Sequence, residues 1–503
     1  MPNNRSFMST RRLLLKSGLA GVLTAASAAG AQSDEAQRGA NKTSAREGDS
    51  REAISPLMRT VAAYIVQAAQ KPLPDAVTEA TKHHVLDTLA AMISGSRLPP
   101  GRKAIAYVKL QGGTPEACVP GSRIITTVVN AALAGGMLAH ADETDDSHAP
   151  SLTHPGCAIV PAALAMAERR RSAGTALLRA VALGYDIGTR ASLALGGYDL
   201  AAAGHDTHSF GTMFGAAAAA GSLVGLDADQ VRHLLSYAAQ QASGLSNYAR
   251  DTEHIEKAFL FGGMPARNGA AAATMVAAGM TGVDDVFSGD RNLFFALGPK
   301  TTPDALARGL GETYEVVNTN IKRWTVGSPI QAPLDSLSYL IKTHKIKADD
   351  VEKIVVRVSH QGAKTTNNRS MPDINMQYMM AVMLIDGTAT LEAAHDEKRM
   401  HDPKVLAVRR RVELYGDDEL QRALPVRQAI IELTLRDGST LRHHTLDVRG
   451  TANNPMTRDE VDEKCFLLCA PVLGKQRARA LVDAVWRLEQ IKDVRALRPL
   501  LQV

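Results

Sequence analysis

From His140 to His154 the chain sets four carboxylates and three histidines within fifteen residues: His140, Asp142, Glu143, Asp145, Asp146, His148 and His154, followed by Pro155-Gly156. Like charges at that density repel one another and lose solvation when buried, so such a cluster usually has a use. Imidazole titrates near neutral pH, and a carboxylate beside it can orient it or hold its proton, so the first chemistry to consider is proton transfer. Two other readings stay open on these residues alone. One is a solvated acidic loop in which Ser or Asp caps the helix expected over Ala158–Ala167. The other is a zinc or iron site, because Asp and His are ligands for both, although no helical spacing here imposes a ligand geometry.

Two more polar nodes follow. Gly204-His205-Asp206-Thr207-His208 opens an Ala-rich helix, where backbone N–H groups and the helix dipole can hold an anion. Either histidine could equally cap that helix or satisfy core carbonyls. Glu256-Lys257 to Arg267-Asn268-Gly269 supplies cations and glycines ahead of another small-residue helix. It lacks the Gly-Lys-Ser/Thr order of a phosphate loop, and no strand precedes it as a dinucleotide-binding turn requires. Lys322-Arg323-Trp324, Arg369 and Tyr378 read singly as surface groups.

The elements that must carry these nodes are mainly helical. From Ile54 to about Gly311 apolar residues recur at helical spacing, as in Leu57-Met58-Val61-Ala62-Ile65-Val66 and from His84 to Ile93. Val128–Ala139, Phe214–Val224 and Gly269–Ala278 are built almost wholly of small residues, which suits buried central helices and subunit contacts. The pattern changes near Ser328. Lys353–Ser359 alternates as a strand, and Gln428–Leu435 and Thr440–Leu446 flank Arg436-Asp437-Gly438-Ser439, a hairpin signal. Helical spacing returns from Asp459. The expected architecture is mainly α with an α+β part: an all-α domain over residues 53–327, interrupted by a smaller α+β lid over 328–455, with helices of 456–503 returning to the first domain.

Residues 1–31 read as an export signal. Arg11-Arg12 precedes a mildly apolar run, Leu19 to Ala29, and Ala29-Gly30-Ala31 offers a cleavage site, the layout of the twin-arginine route. The expected destination is a bacterial periplasm, with cleavage near Ala31. The apolar run is too short and too rich in Ala and Gly to span a bilayer, and no later run argues for membrane insertion. Arg5, Arg11, Arg12 and Lys16 leave with that segment, so net charge falls from +5 to +1 and nothing argues for a nucleic-acid stripe. Residues 32–52 are polar and aperiodic and read as a disordered leader. Cys465 and Cys469 lie one helical turn apart and read as small core residues, while Cys118 and Cys157 could pair only if the fold brings them together.

Taken in order, these nodes resemble the 2-methylcitrate dehydratase and cis-aconitate decarboxylase family, MmgE/PrpD. The family's acidic motif is a His, two residues, an acid, an aromatic, Asp-Asp-Thr and a spaced His-Pro. Here it reads His140, Glu143-Thr144-Asp145-Asp146-Ser147, His154-Pro155, with Ser for Thr and with Glu143 or Asp142 at the first acid. The family's Gly-aromatic-His-Pro-Thr is similar to Gly204-His205-Asp206-Thr207, without the aromatic and the Pro. The segment from Glu256-Lys257 through Arg267-Asn268-Gly269, the junction Lys322, Tyr378 ahead of Ala381–Gly387, and Ala470-Pro471-Val472-Leu473-Gly474 match as well.

The resemblance implies a helical domain with an α+β lid, a homodimer, and a lyase acting on a small di- or tricarboxylate without cofactor or required metal. Water elimination of the 2-methylcitrate dehydratase type is the first expectation, with decarboxylation or epimerisation of a related acid as the alternative. On that reading Lys257, Lys322 and Arg323 hold substrate carboxylates, with Asp142 and Ser147 as further substrate contacts. His154 and His205 exchange protons, Glu143 and Asp146 orient or charge them, and Tyr378 donates a hydrogen bond from the lid. The rival from another class is a periplasmic protein that binds a carboxylate and does not consume it.

Overall fold

Apolar residues at helical spacing meet capping residues at several helix starts. Ser55 caps α1 (Pro56–Ala68), and α2 (Asp75–Gly95) and α3 (Pro99–Gln111) follow; Thr127 caps α4 (Val128–Ala139). Then come α5 (Pro155–Arg170), α6 (Gly174–Ala194), α7 (Thr207–Val224), α8 (Ala228–Gln241) and α9 (Met264–Ala277). The computed structural model describes residues 54–297 and 300–503. The export signal and the leader expected over residues 1–52 lie outside them.

Helices α5, α6, α7 and α9 pack at the centre. Ala216 to Ala220 on α7 and Ala270, Ala272 and Ala273 on α9 are fully buried, because side chains this small let helix backbones approach closely. Two apolar clusters fill this region, one around Leu86, Leu138, Ile159 and Val181, the other around Ile65, Ile187, Phe214 and Leu234. A short pair not expected from sequence, β1 (Ala117–Cys118) and β2 (Ile125–Thr126), lies between α3 and α4.

The second region starts with α10 (Ser328–His344). Its sheet is β3 (Val351–Ser359), β4 (Val412–Asp417), β5 (Ala429–Leu435) and β6 (Thr440–Thr445), in the order β4-β3-β5-β6. The expected hairpin is present: β5 and β6 are antiparallel, with Leu433 opposite Leu441, and Asp437-Gly438 in the turn. β4 went unread in sequence because Val412–Asp417 mixes apolar and polar residues without clean alternation; it pairs parallel to β3. α10 covers β5 and β6, and α11 (Met376–Asp386) packs on α10, with a third apolar cluster between them.

The chain closes with α12 (Arg458–Leu473) and α13 (Lys475–Trp486), which pack on α2; Cys465, Cys469, Leu481 and Val485 join the same cluster as Leu86. The described residues of both regions belong to one compact unit. The fold is mainly α with a small α+β part. All four cysteines are buried and free. Among the described residues no helix is long and apolar enough to cross a membrane.

Candidate active site

α4 ends at Ala139, and the next fifteen residues run as turns before Pro155 opens α5. This irregular segment is buried, so its polar groups must find partners inside the protein. Asp145 is fully buried and bridges two imidazoles: His140 Nδ1 lies 2.9 Å from Oδ2 and His154 Nδ1 lies 3.0 Å from Oδ1. Burial alone would raise the Asp145 carboxyl, but His140, His154 and Lys322 outweigh it and hold it well below the usual carboxylate range. An anionic Asp145 therefore accepts from both Nδ1–H groups, which leaves each Nε2 free to act as a base. Burial pushes His154 down to about 3, against the pull of Asp145, so its ring is neutral at working pH.

Glu143 is the second buried anion. It pairs with Lys257, and Lys322 Nζ stands 3.9 Å from Oε2 and 3.6 Å from Asp145 Oδ1. Burial would raise Glu143 too, yet the two lysines keep it well below its ordinary value. Lys322 also donates to the Glu143 carbonyl at 2.7 Å. Phe261 organises the histidines: His208 stacks on it at 3.7 Å and His140 at 4.5 Å, and Lys257 lies 5.1 Å from its centre. Phe261 sits in a π-helical turn, Phe259–Gly263, of the kind that recurs at functional sites. That turn approaches α4 so closely that a Cβ on Gly262 would lie 2.1 Å from the Gly136 carbonyl oxygen.

A cavity of about 370 Å³ opens onto this cluster. Ser147, His154, His208 and Lys322 line it from the helical region, and Gln331 and Arg427 from the α+β region. The α+β region also contributes His395, whose Nε2 lies 3.2 Å from Asp142 Oδ2. Burial would lower His395, but Asp142 overrides it and lifts the ring to about 9. Nearby Asp373 is buried and raised to about 7, chiefly by burial and then by repulsion from Glu143 and Asp142.

The structure gathers Glu143, His154, Lys257, Lys322 and Asp142, and puts Ser147 on the cavity wall, its backbone paired with Asn320. Other expected residues lie elsewhere. Asp146 does not orient His154; it accepts from His84 at 2.8 Å, Tyr185 at 2.5 Å and the Gly156 amide at 2.9 Å, tying α2, α6 and the start of α5 together. His205 packs edge-on to Phe210 at 5.6 Å, and His208 takes the place near His154, with ring centres 5.2 Å apart and Nδ1 2.8 Å from Asp206. Tyr378 is fully buried in the α+β core, where its hydroxyl donates to the Ala393 carbonyl at 2.7 Å. Arg323 lies over the Trp324 ring, beside a different surface depression with Asp335.

Two trios, His140-Glu143-His254 and His140-Asp145-His154, hold ligand atoms within 4.8 Å of one another, so either could reach one metal ion. Lys257 and Lys322 already stand against both carboxylates, and a divalent ion would meet two ammonium groups there. The donor set suits an anion pair neutralised by lysine better than a cation site. His140 Nε2 and His254 Nε2 are both buried without a hydrogen-bond partner among the described residues.

The sequence compares with known proteins along nearly its whole folded length. The MmgE/PrpD N-terminal domain model matches residues 59–305 and the MmgE/PrpD C-terminal domain model matches residues 324–490. The chain belongs to the MmgE/PrpD family. Among curated proteins it is 24% identical over 470 residues to the cis-aconitate decarboxylase-like protein oryM of Aspergillus oryzae, covering 87% of this chain and 95% of that one. It is likewise 24% identical to the cis-aconitate decarboxylase of Aspergillus terreus, covering 86% and 93%. The mouse cis-aconitate decarboxylase is 24% identical over 452 residues, covering 86% and 90%. These relatives support a lyase.

Proposed function

We propose that this MmgE/PrpD protein is a lyase that acts on a small di- or tricarboxylate by acid–base catalysis at His154. The observation that carries this reading is the Asp145–His154 pair, held in one tautomer at the cavity wall with Lys322 beside it. A bond next to a carboxylate breaks only if the electron pair left on carbon is stabilised, and a fixed ammonium group supplies that stabilisation. In a decarboxylation the carbon–carbon bond to one carboxylate breaks, carbon dioxide leaves, and the carbon takes a proton from imidazolium. Bound polyanion charge favours that protonated ring. The relatives, named as cis-aconitate decarboxylases, favour this reaction on a cis-aconitate-like acid.

Water elimination, as from a 2-methylcitrate-like acid, is the second reading. A neutral His154 can take the proton beside the carboxylate while His208, on its own carboxylate Asp206, protonates the leaving hydroxyl. NMR of the full chain with a panel of polycarboxylates in deuterated water separates the two. Carbon dioxide release with one deuterium gained supports decarboxylation, and an alkene without carbon dioxide supports elimination. Binding without consumption of any panel member would overturn the lyase reading.

We also propose export by the twin-arginine route and assembly as a homodimer, the first supported by Arg11-Arg12 and the following apolar run, the second by the family resemblance. Changing Arg11-Arg12 to Lys-Lys should keep the protein in the cytoplasm on fractionation, and sedimentation should give twice the chain mass.

A further inference from the structure

The two lysines of the cluster are already neutralised: Lys257 pairs with Glu143, and Lys322 lies between Glu143 and Asp145. A substrate bearing two or three negative charges therefore meets a site whose own charges balance, and it needs a further cation. Of the cationic groups around the cavity, Arg449 is held by Glu460 at 2.5 Å and by Asn454 at 2.7 Å, and His148 faces Glu315 at 3.3 Å. Arg427 is different. It is partly buried on the α+β wall of the cavity, and among the described residues its guanidinium has no carboxylate within 4.0 Å and no hydrogen-bond acceptor. Burial lowers its pKa, and Tyr198 alone offsets this. A half-buried guanidinium with no counter-ion is positioned to pair with a bound carboxylate through two parallel N–H···O bonds.

We propose that Arg427 is the binding residue for a remote carboxylate of the substrate, placed across the cleft from His154 and Lys322, and that it selects acids with a carboxylate beyond the reacting carbon. This rests on the polycarboxylate reading and adds to it a subsite supplied by the α+β region. The loop Pro425-Val426-Arg427, leading into β5, would then register a correct substrate by closing a charge pair across the two regions.

Calorimetric titration of the full chain with tricarballylate, a saturated tricarboxylate, tests this without requiring turnover. Arg427→Gln should weaken binding about tenfold or more, Arg427→Lys should lose less, and Arg422→Gln, on the exposed surface nearby, should stay within about twofold. Arg427→Met serves as the comparison if the Gln variant fails to fold. An affinity for Arg427→Gln within about twofold of wild type, or an equal loss in Arg422→Gln, would overturn the subsite. If wild type binds tricarballylate and consumes no polycarboxylate, the lyase reading falls and the Arg427 result still stands. If wild type binds no tricarballylate, both fall.

Discussion

At the scale of single residues the decisive group is Asp145. It fixes both His140 and His154 by their Nδ1 atoms, so Asp145→Asn would let either ring turn or change tautomer. Turnover of the true substrate should fall about 10²- to 10⁴-fold, and the melting temperature should fall as well because two imidazoles and Lys322 lose a buried anion, as steady-state kinetics and thermal melts would report. The same change at Asp146 should destabilise the fold without releasing His154, because its three buried donors lie on other helices. Sequence could not separate these neighbours: adjacent aspartates in an irregular segment have no periodicity to say which faces the histidines. His254, at φ 61° in a short polar stretch, carried no pattern either; its one signal was its place three residues before Lys257. Tyr378 was misplaced although the sequence held a warning. Met376 to Leu384 is apolar on nearly every side, Gln377 excepted, which marks a buried helix and a core tyrosine.

At the scale of elements, the π-helical turn against α4 sets the position of Phe261 and so of three imidazoles. Gly262→Ala would drive a methyl group into the Gly136 carbonyl and should cost about 1–3 kcal/mol of stability, with a loss of turnover as Phe261 shifts. Denaturant unfolding and kinetics on the one variant measure both. The link between the regions at Asp142 and His395 gives a pH signature. His395 is raised from its ordinary 6.5 to about 9 by Asp142, so its contribution to stability is complete below pH 6.5 and is lost as pH rises through about 9. The melting temperature of His395→Gln should therefore lie below wild type at pH 6 and converge with it above pH 9; a gap unchanged with pH would contradict the pairing. Element types were legible where composition or one period dominated, as in α4, α7, β3 and the β5–β6 hairpin. The turn at Phe259–Gly263 was not, since a π-helical step is set by tertiary packing against Gly136.

At the scale of the whole molecule, the C-terminal helices return to the site. Lys464 on α12 reaches Asp87 on α2 at 2.6 Å and the Thr144 carbonyl at 3.2 Å, inside the acidic segment. Removing one partner of a buried pair leaves the other charge uncompensated, so Lys464→Met should cost about 3–5 kcal/mol, and adding Asp87→Leu should recover much of it. Equilibrium unfolding of the single and double variants measures this coupling. The return was readable from the helical spacing after Asp459, because Leu473, Ala478, Leu481 and Val485 needed an apolar surface; which helix supplied it was not.

The central claim is that His154, oriented by Asp145 beside Lys322, moves a proton next to a substrate carboxylate. Its most direct test is the rate of consumption of cis-aconitate and related polycarboxylates in deuterated water, followed by NMR for wild type and His154→Ala side by side. Wild type should consume at least one member of the panel with a change in deuterium content, and the variant should be slower by about 10²-fold or more. Equal rates in the two proteins would contradict the account.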